Sequence, residues 1–549
     1  MELSFSLFHS SPPWLAGITL HVAHWQLTMT DISPVGILHD SLKTTLQSNT
    51  AKSVAVVLLL LFAWRFWKFT LQPLLHPEYP KEYPYWIPSF FKDSNLLIAQ
   101  ARQYFAHEGN EPFALTVLGI TFYVATQAKH SAEVYKNTET LSFESFVQAL
   151  MRNNGNCPRV IKLMYSALPV DKRGFPNPHG ESLGVMAQRM HIIQLHPNEK
   201  LVGLQHQTMN WIDTHLTMDM LKAEGSDNLP PDAPVEFSLY QWCSNTFTRL
   251  GQHIYFGETL HNIDPGVPDA FLVFDELIWK MLYQYPDFLS RDMSAPRARV
   301  IKALQQYFEI PREKRAGKAA WLIDTFEDEV RALGIDNENL ATMMFHLYLA
   351  INTNARKTVF WVISYLLHNP NLLEAYRRDT EVAFSGDRLV DPFVLQNPEK
   401  CPQVDAIWNE TLRITGWSAS VRSIIEDTVI GGKLMRKGNR VLVPHRLLHF
   451  DENIFGSNPQ EFRPERWENG LKQNASWKPF GGGKTTCSGR FLARFSATTY
   501  VATLLRRFDI KMVGNPPFPQ ADAGRPVLGT MSIKDGSDFK VQLSPRANL

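Results

Sequence analysis
Near the C-terminal end stands Phe480-Gly-Gly-Gly-Lys-Thr-Thr-Cys487-Ser-Gly-Arg-Phe-Leu492. Its first half resembles the end of a phosphate-binding loop; its second half resembles a frame that presents one cysteine. A phosphate loop needs G-x-x-x-x-G-K-[ST], so that the backbone turns early enough to wrap the phosphates. Gly483-Lys484-Thr485 supplies the end, but Lys478 occupies the place of the first glycine, and Trp477-Lys478-Pro479 precede instead of an apolar strand. The phosphate reading fails on spacing. The cysteine reading gains at each step. Gly481, Gly482 and Gly483 permit positive φ and close approach of a bulky group to the backbone, as does Gly489 on the far side. Cys487 then opens a proline-free segment, Arg490 to Phe508, with helical spacing at Leu492, Phe495, Thr499 and Ala502.

A cysteine at a helix start, among backbone N–H groups, has its thiolate stabilised. Such an environment suits an axial haem thiolate, whose electronics are tuned by N–H bonds to sulfur. The plain alternative is a buried structural cysteine in a glycine-rich turn. Upstream motifs decide between them. Phe480, Gly483, Cys487 and Gly489 fit F-x-x-G-x-x-x-C-x-G, preceded in order by Glu410-Thr-Leu-Arg413 and Phe462-Arg-Pro-Glu-Arg466-Trp467. This set resembles the haem loop, the E-x-x-R and the P-E-R signatures of the cytochrome P450 superfamily. The likeness runs from about residue 73 to the C-terminus. It implies a mainly α fold with small β-sheets and haem b bound through Cys487. Phe480, Gly481, Gly489 and Arg422 would complete the cofactor-binding set, with Arg422 meeting a propionate. The basic residue usual two places before the cysteine is replaced by Thr485. No W-x-x-x-R pair is visible, so Arg189 or His191 stand as substitutes for a second propionate contact.

Glu410 and Arg413 lie one helical turn apart and project from one face. Arg466 offers a second planar fork for the same carboxylate, expected to bind it bidentately. The resemblance makes this network architectural: it holds the loop that carries Cys487.

The chain has 549 residues, 44% hydrophobic and 12% aromatic, enough for a large core. A net charge of +1 argues against nucleic acid as a general partner. Cys157, Cys243, Cys401 and Cys487 lie far apart, which disfavours a zinc site or disulfide framework and fits a reducing compartment.

Residues 53–64, SVAVVLLLLFAW, form an uncharged run of twelve, short of the roughly twenty that a span needs. Arg65 and Lys68 can snorkel, and Trp64 and Trp67 can anchor at the interface. The basic residues follow the run, so the body is expected on the cytosolic side. A core helix is the alternative. The expected organisation is an extension of unassigned role (1–50), a membrane anchor (51–72) and a catalytic domain (73–549). Pro73, Pro77, Pro80, Pro84 and Pro88 predict a stiff, non-helical hinge after the anchor. A single-pass endoplasmic reticulum protein follows from the resemblance.

Asn337 to His368 reads as one long helix, apolar on most faces and interrupted by Asn352-Thr-Asn-Ala-Arg-Lys-Thr358. Such a cluster is costly unless it meets a cavity or partners, or bends the helix through bonds to carbonyls. In the resembled family this helix lies over the haem and carries an acid–alcohol pair for proton delivery. Two registers fit. One sets Asn352-Thr353 on that pair. The other, anchored by Phe360-Trp361 as in the branch of sterol 7α-hydroxylase and prostacyclin synthase, puts Asn354 in the acid slot and Ala355 in the alcohol slot. The second is preferred, and leaves Thr353 as the nearest hydroxyl for the relay, with Asn352 or Asn354 holding water.

Hairpins are expected around Val429–Pro444 and at Asp535-Gly536. The resemblance implies a monooxygenase that takes NADPH electrons from a cytochrome P450 reductase, with cytochrome b5 as an optional second donor. Gln194-Leu-His-Pro197 and the loop wording resemble filamentous-fungal enzymes of secondary metabolism. Those imply a lipophilic substrate of terpenoid, steroid or polyketide-like type. A reductase-independent isomerase or dehydratase, and a non-catalytic haem sensor, are the other readings. NADPH and dioxygen consumption separates the first of these; an added signalling domain would mark the second.

Overall fold
The computed structural model describes residues 49–225 and 234–546. The expectation for residues 1–50 falls almost wholly outside them. The chain divides into two compact units, Met1–Gln72 and Pro73–Leu549.

A helix runs from Lys52 to Leu75, 24 residues with mean hydropathy 1.8 and a window wholly unburied. At 1.5 Å per residue it is about 36 Å long, enough to cross a hydrocarbon core. The apolar run of twelve is therefore extended by aromatic residues rather than ended by Arg65. Two expectations are corrected here. The helical segment reaches three residues beyond the expected anchor, and Pro73 lies within it. A π-helical turn, Trp67–Leu71, precedes the proline, and the Gln72 N–H bonds to the Trp67 carbonyl. Proline lacks an N–H and crowds the preceding turn, and the wider turn accommodates both.

The larger unit is mostly helical. The helices that build the site are α1 (Ala128–Lys136), α2 (Glu144–Asn153), α3 (Leu183–Leu195), α4 (Leu239–Phe256) and α5 (Val267–Glu276). They continue with α6 (Arg291–Glu309), α7 (Asn337–Asn352), α8 (Ala355–Leu367), α9 (Pro402–Thr415) and α10 (Arg490–Arg507). The central helix α8 is buried nearly all round, including Phe360 and Trp361, and packs on α4, α9 and α10. The expected single helix is two: α7 and α8 break at Thr353-Asn354, where the polar cluster lies.

Strands β1 (Lys81–Glu82), β2 (Phe113–Val117), β3 (Ile120–Val124) and β4 (Leu141–Ser142) join β6 (Ala419–Ile424) and β7 (Arg440–Pro444) in one sheet, ordered β1-β2-β3-β7-β6-β4. Another sheet places β9 (Lys540–Pro545) between β8 (Phe508–Met512) and β5 (Val235–Ser238). The expected hairpin at Val429 forms, Thr428–Ile430 against Lys433–Met435, turning on Gly431 and Gly432 at φ 58° and 76°. The expected Asp535-Gly536 hairpin does not. Gly536 makes a turn, but β9 pairs with β8 and β5, and the arm before the turn stays outside that sheet. Asp538 explains the diversion: its carboxylate accepts from the Tyr240 and Gln241 N–H groups at the start of α4, at 2.8 and 3.2 Å. That cap draws β9 toward β5.

Candidate functional site
The cysteine loop folds back on itself. The Cys487 N–H bonds to the Phe480 carbonyl at 3.0 Å, and the Thr486 N–H to the Gly483 carbonyl at 3.2 Å. Gly481 and Gly483 take φ 74° and 63°, the left-handed region that a side chain strains. The bulky neighbour foreseen for the glycines is Tyr135 of α1. A Cβ on Gly482 would meet its ring at 2.7 Å, and one on Gly483 its carbonyl at 2.8 Å. The opposite side is open: a Cβ on Gly489 would meet nothing nearer than the Cys487 Sγ at 3.8 Å. Cys487 and Cys157 are exposed, whereas Cys243 and Cys401 are buried; only Cys487 lies in the glycine loop.

The helix α10 begins at Arg490, three residues after Cys487, so the cysteine precedes its first turn rather than opening it. Although the residue is exposed, the protein crowded around its thiol desolvates it and raises it above its ordinary value, opposed by the N–H groups of Gly489 and Arg490 and the Arg490 charge. The expected stabilisation by the helix start is present, but desolvation exceeds it.

Glu410 and Arg413 meet as foreseen, both fully buried on α9. Arg413 Nε and Nη2 donate to the two carboxylate oxygens at 2.8 and 2.7 Å. Arg413 also donates to the carbonyls of His449 and Pro459, at 3.0 and 2.7 Å. Glu410 accepts further from the Arg463 N–H and the Trp467 indole, each at 2.9 Å. The bidentate role expected of Arg466 is corrected. Its Nε stands 3.4 Å from Glu410, while its fork donates to the carbonyls of Phe455, Ser457 and Asn458. Arg413 already occupies the in-plane positions of that carboxylate. The network reaches the loop through a residue that sequence reading missed: His449 Nε2 accepts from the Lys478 N–H at 3.1 Å, across 29 residues.

Arg422 on β6 is buried and donates to the Thr485 hydroxyl and the Val421 carbonyl. It has no carboxylate partner among the described residues, and desolvation lowers its pKa. A buried guanidinium without a counter-charge suits an anionic group brought by a ligand. The two proposed substitutes for a second contact are engaged elsewhere. Arg189 donates to the Pro176 carbonyl and pairs with Glu181 at 3.1 Å, and His191 bonds to the Ala187 carbonyl. Gln188, one residue earlier on α3, reaches the Lys484 carbonyl instead.

Along α7 and α8, His346, Leu347, Ala350, Ile351, Asn354 and Ala355 are less buried than their neighbours, with Ala350 exposed. Their spacing makes one helical stripe, the open face of the helix pair. Asn354 and Ala355 lie on it and Thr353 does not. The Asn354 Oδ1 accepts from the Thr530 N–H at 2.9 Å. Asn352 is buried against Gly251 and donates to the Tyr348 carbonyl at 3.0 Å.

Thr353, expected to supply the relay hydroxyl, donates to Asp275 of α5 at 2.8 Å. Asp275 also holds Arg356 at 2.5 Å and Lys357 at 2.8 Å, and Arg356 reaches Glu276 at 2.7 Å. The polar cluster is thus largely an ion network between α5 and the α7–α8 break. Burial opposes the charge of Glu276, yet Arg356 and Lys357 bring its pKa down to about 2.

Among the described residues no group of three metal-ligating side chains stands together, so a bare metal ion has no obvious site. One accessible thiol beside an open glycine and an uncompensated buried arginine fits a macrocycle with a metal centre and carboxylate arms. The comparisons agree. A cytochrome P450 family profile matches residues 234–532. A cytochrome P450 monooxygenase of Penicillium oxalicum, poxD, is 24% identical over 84% of this chain and 92% of its own. A bifunctional cytochrome P450/NADPH–P450 reductase of Bacillus cereus is 34% identical over 39% of this chain and 19% of its own length. The haem domain of cytochrome P450DA shares the fold with a TM-score of 0.61, at 17% identity, over 85% of this chain and 97% of that one. The chain belongs to the cytochrome P450 family and is a haem-thiolate monooxygenase.

Proposed function
We propose that the protein inserts oxygen into a C–H bond of a lipophilic terpenoid, steroid or polyketide-like molecule, in fungal secondary metabolism. The observation that carries the site is Cys487: accessible, in a self-bonded glycine loop that packs on Tyr135 and is tied through Lys478 and His449 to Arg413. Cys487 would ligate the haem iron, Phe480, Gly481 and Gly489 would frame the macrocycle, and Arg422 would meet a propionate. When bound, the haem supplies the activation of dioxygen and the oxidising power for the insertion.

This chain's part is positioning and proton supply. The stripe of Leu347, Ala350 and Ile351 offers an apolar wall against which a lipophilic substrate excludes water. Asn354 cannot release a proton, but its Nδ2 has no partner among the described residues and can orient a water that does. Thr358 and Thr530, bonded to each other at 3.0 Å, keep the neighbouring segment in place. Electrons come from NADPH through a P450 reductase, a partnership supported by the reductase-fused relative. Cytochrome b5 is an optional second donor. The Lys52–Leu75 helix supports anchorage in the endoplasmic reticulum membrane with the catalytic unit cytosolic.

The reduced carbon monoxide complex tests the ligand. The wild type should show the far-red-shifted Soret band of thiolate ligation and consume NADPH and dioxygen with added reductase. A Cys487→Ser protein that kept that band would refute the assignment. Turnover without NADPH would replace monooxygenation by isomerisation.

A further inference from the structure
Where α2, α6 and α7 meet, two side chains carry a buried nitrogen without a hydrogen-bond partner, and an arginine beside them has no ion pair among the described residues. Arg297 of α6 donates through Nη1 to the Asn153 carbonyl at 3.1 Å and to the Asn154 Oδ1 at 3.3 Å. It forms no ion pair among the described residues, and burial lowers its pKa, with Asp287 a lesser opposing influence. Asn154 is 3% exposed, and its Nδ2 is buried without a hydrogen-bond partner. The bond from Arg297 fixes the amide, because only the oxygen can accept it. His346, first residue of the open stripe on α7, also has its Nε2 buried and unpaired. Burial and the Arg297 charge bring its pKa down to about 4, so the ring is neutral at physiological pH.

Each unmade bond to a buried donor is costly, and a partly buried cation without a counter-charge adds to that cost. The cluster therefore has an unused amide donor, an unpaired imidazole nitrogen and a positive charge, beside the face assigned to the substrate. We propose that Arg297, Asn154 and His346 form a subsite for a carboxylate on the far end of an otherwise apolar substrate. A guanidinium fork and an amide N–H₂ match the planar oxygens of that group. His346 lies eight residues before Asn354, about 12 Å along the helix at 1.5 Å per residue. A carboxylate there would lie roughly that far along the helix pair from Asn354. This inference rests on the substrate-binding role given to the open face.

The test uses the haem-loaded full chain and two probes, an imidazole-capped decanoic acid and its methyl ester. Imidazole binding to haem iron gives a Soret shift, so affinity is read without knowing the substrate. The acid should bind roughly tenfold tighter than the ester in the wild type. Arg297→Gln should erase that preference and Arg297→Lys retain part of it, with the carbon monoxide spectrum of both variants unchanged. Equal binding of acid and ester by the wild type, or no binding of either, overturns the proposal. So does an Arg297→Gln protein that still prefers the acid. Failure of the broader haem-thiolate reading would show instead as a lost carbon monoxide band.

Discussion
Arg413 and Arg466 both stand beside Glu410, yet they do different work. Arg413 is fully buried, takes both carboxylate oxygens and ties two distant carbonyls to α9. Arg466 grazes Glu410 and holds a carbonyl turn. Arg413→Ala strands a buried carboxylate, a loss of about 3–5 kcal/mol. It also frees His449 and with it the entry to the cysteine loop. The expected outcome is folded-protein yield with most haem lost, measured as the haem-to-protein ratio after gel filtration. Arg466→Ala should retain most of its haem. Equal losses in the two variants would contradict this division of labour. The E-x-x-R spacing announced Glu410 and Arg413, because a helix puts i and i+3 together whatever surrounds them. His449 was not legible in the same way. It acts only because folding brings Lys478 to it across 29 residues.

The break between α7 and α8 decides which groups the central helix shows to the open face. Asp275 gathers Thr353, Arg356 and Lys357 on one side of that break, and Asn354 falls on the other. Periodicity foresaw an uninterrupted helix, since no proline or glycine marks the site. It could not foresee an acidic residue on α5, 78 positions earlier, as the partner of Thr353. The consequence is a pair of opposite expectations. Thr353→Val should cost about 1 kcal/mol of stability for the lost hydrogen bond and leave hydrogen peroxide release per NADPH unchanged. Asn354→Leu should raise that release, because the water it orients is lost. Raised peroxide release in Thr353→Val would return the relay to that hydroxyl.

Over the whole molecule, buried histidines such as His445 and His346 make the fold weaker in acid. Burial, with Arg422 and Lys478 nearby, brings His445 down to about 4, close to the value for His346. Between pH ~6.5 and about 4 the unfolded chain binds more protons than the folded one, so stability falls as pH drops through that window. It is fully present above pH ~6.5, and each such histidine contributes a slope of about 1.4 kcal/mol per pH unit inside the window. His445→Gln should flatten the fall of melting temperature with pH; an unchanged profile would show that His445 carries none of it. The sequence alone determined the family, the cysteine, the Glu410–Arg413 pair and an apolar N-terminal helix. Those signals are local: fixed spacings, glycines with permitted positive φ, and a run of hydrophobic residues. Tertiary structure decided the rest. The place of Thr353, the carbonyl-bound fork of Arg466, the pairing of β9 and the unpaired nitrogens around Arg297 depend on partners far away in the chain. Hydrogen bonds and charge pairs of that kind are chosen by which surfaces packing brings together, and no spacing records them.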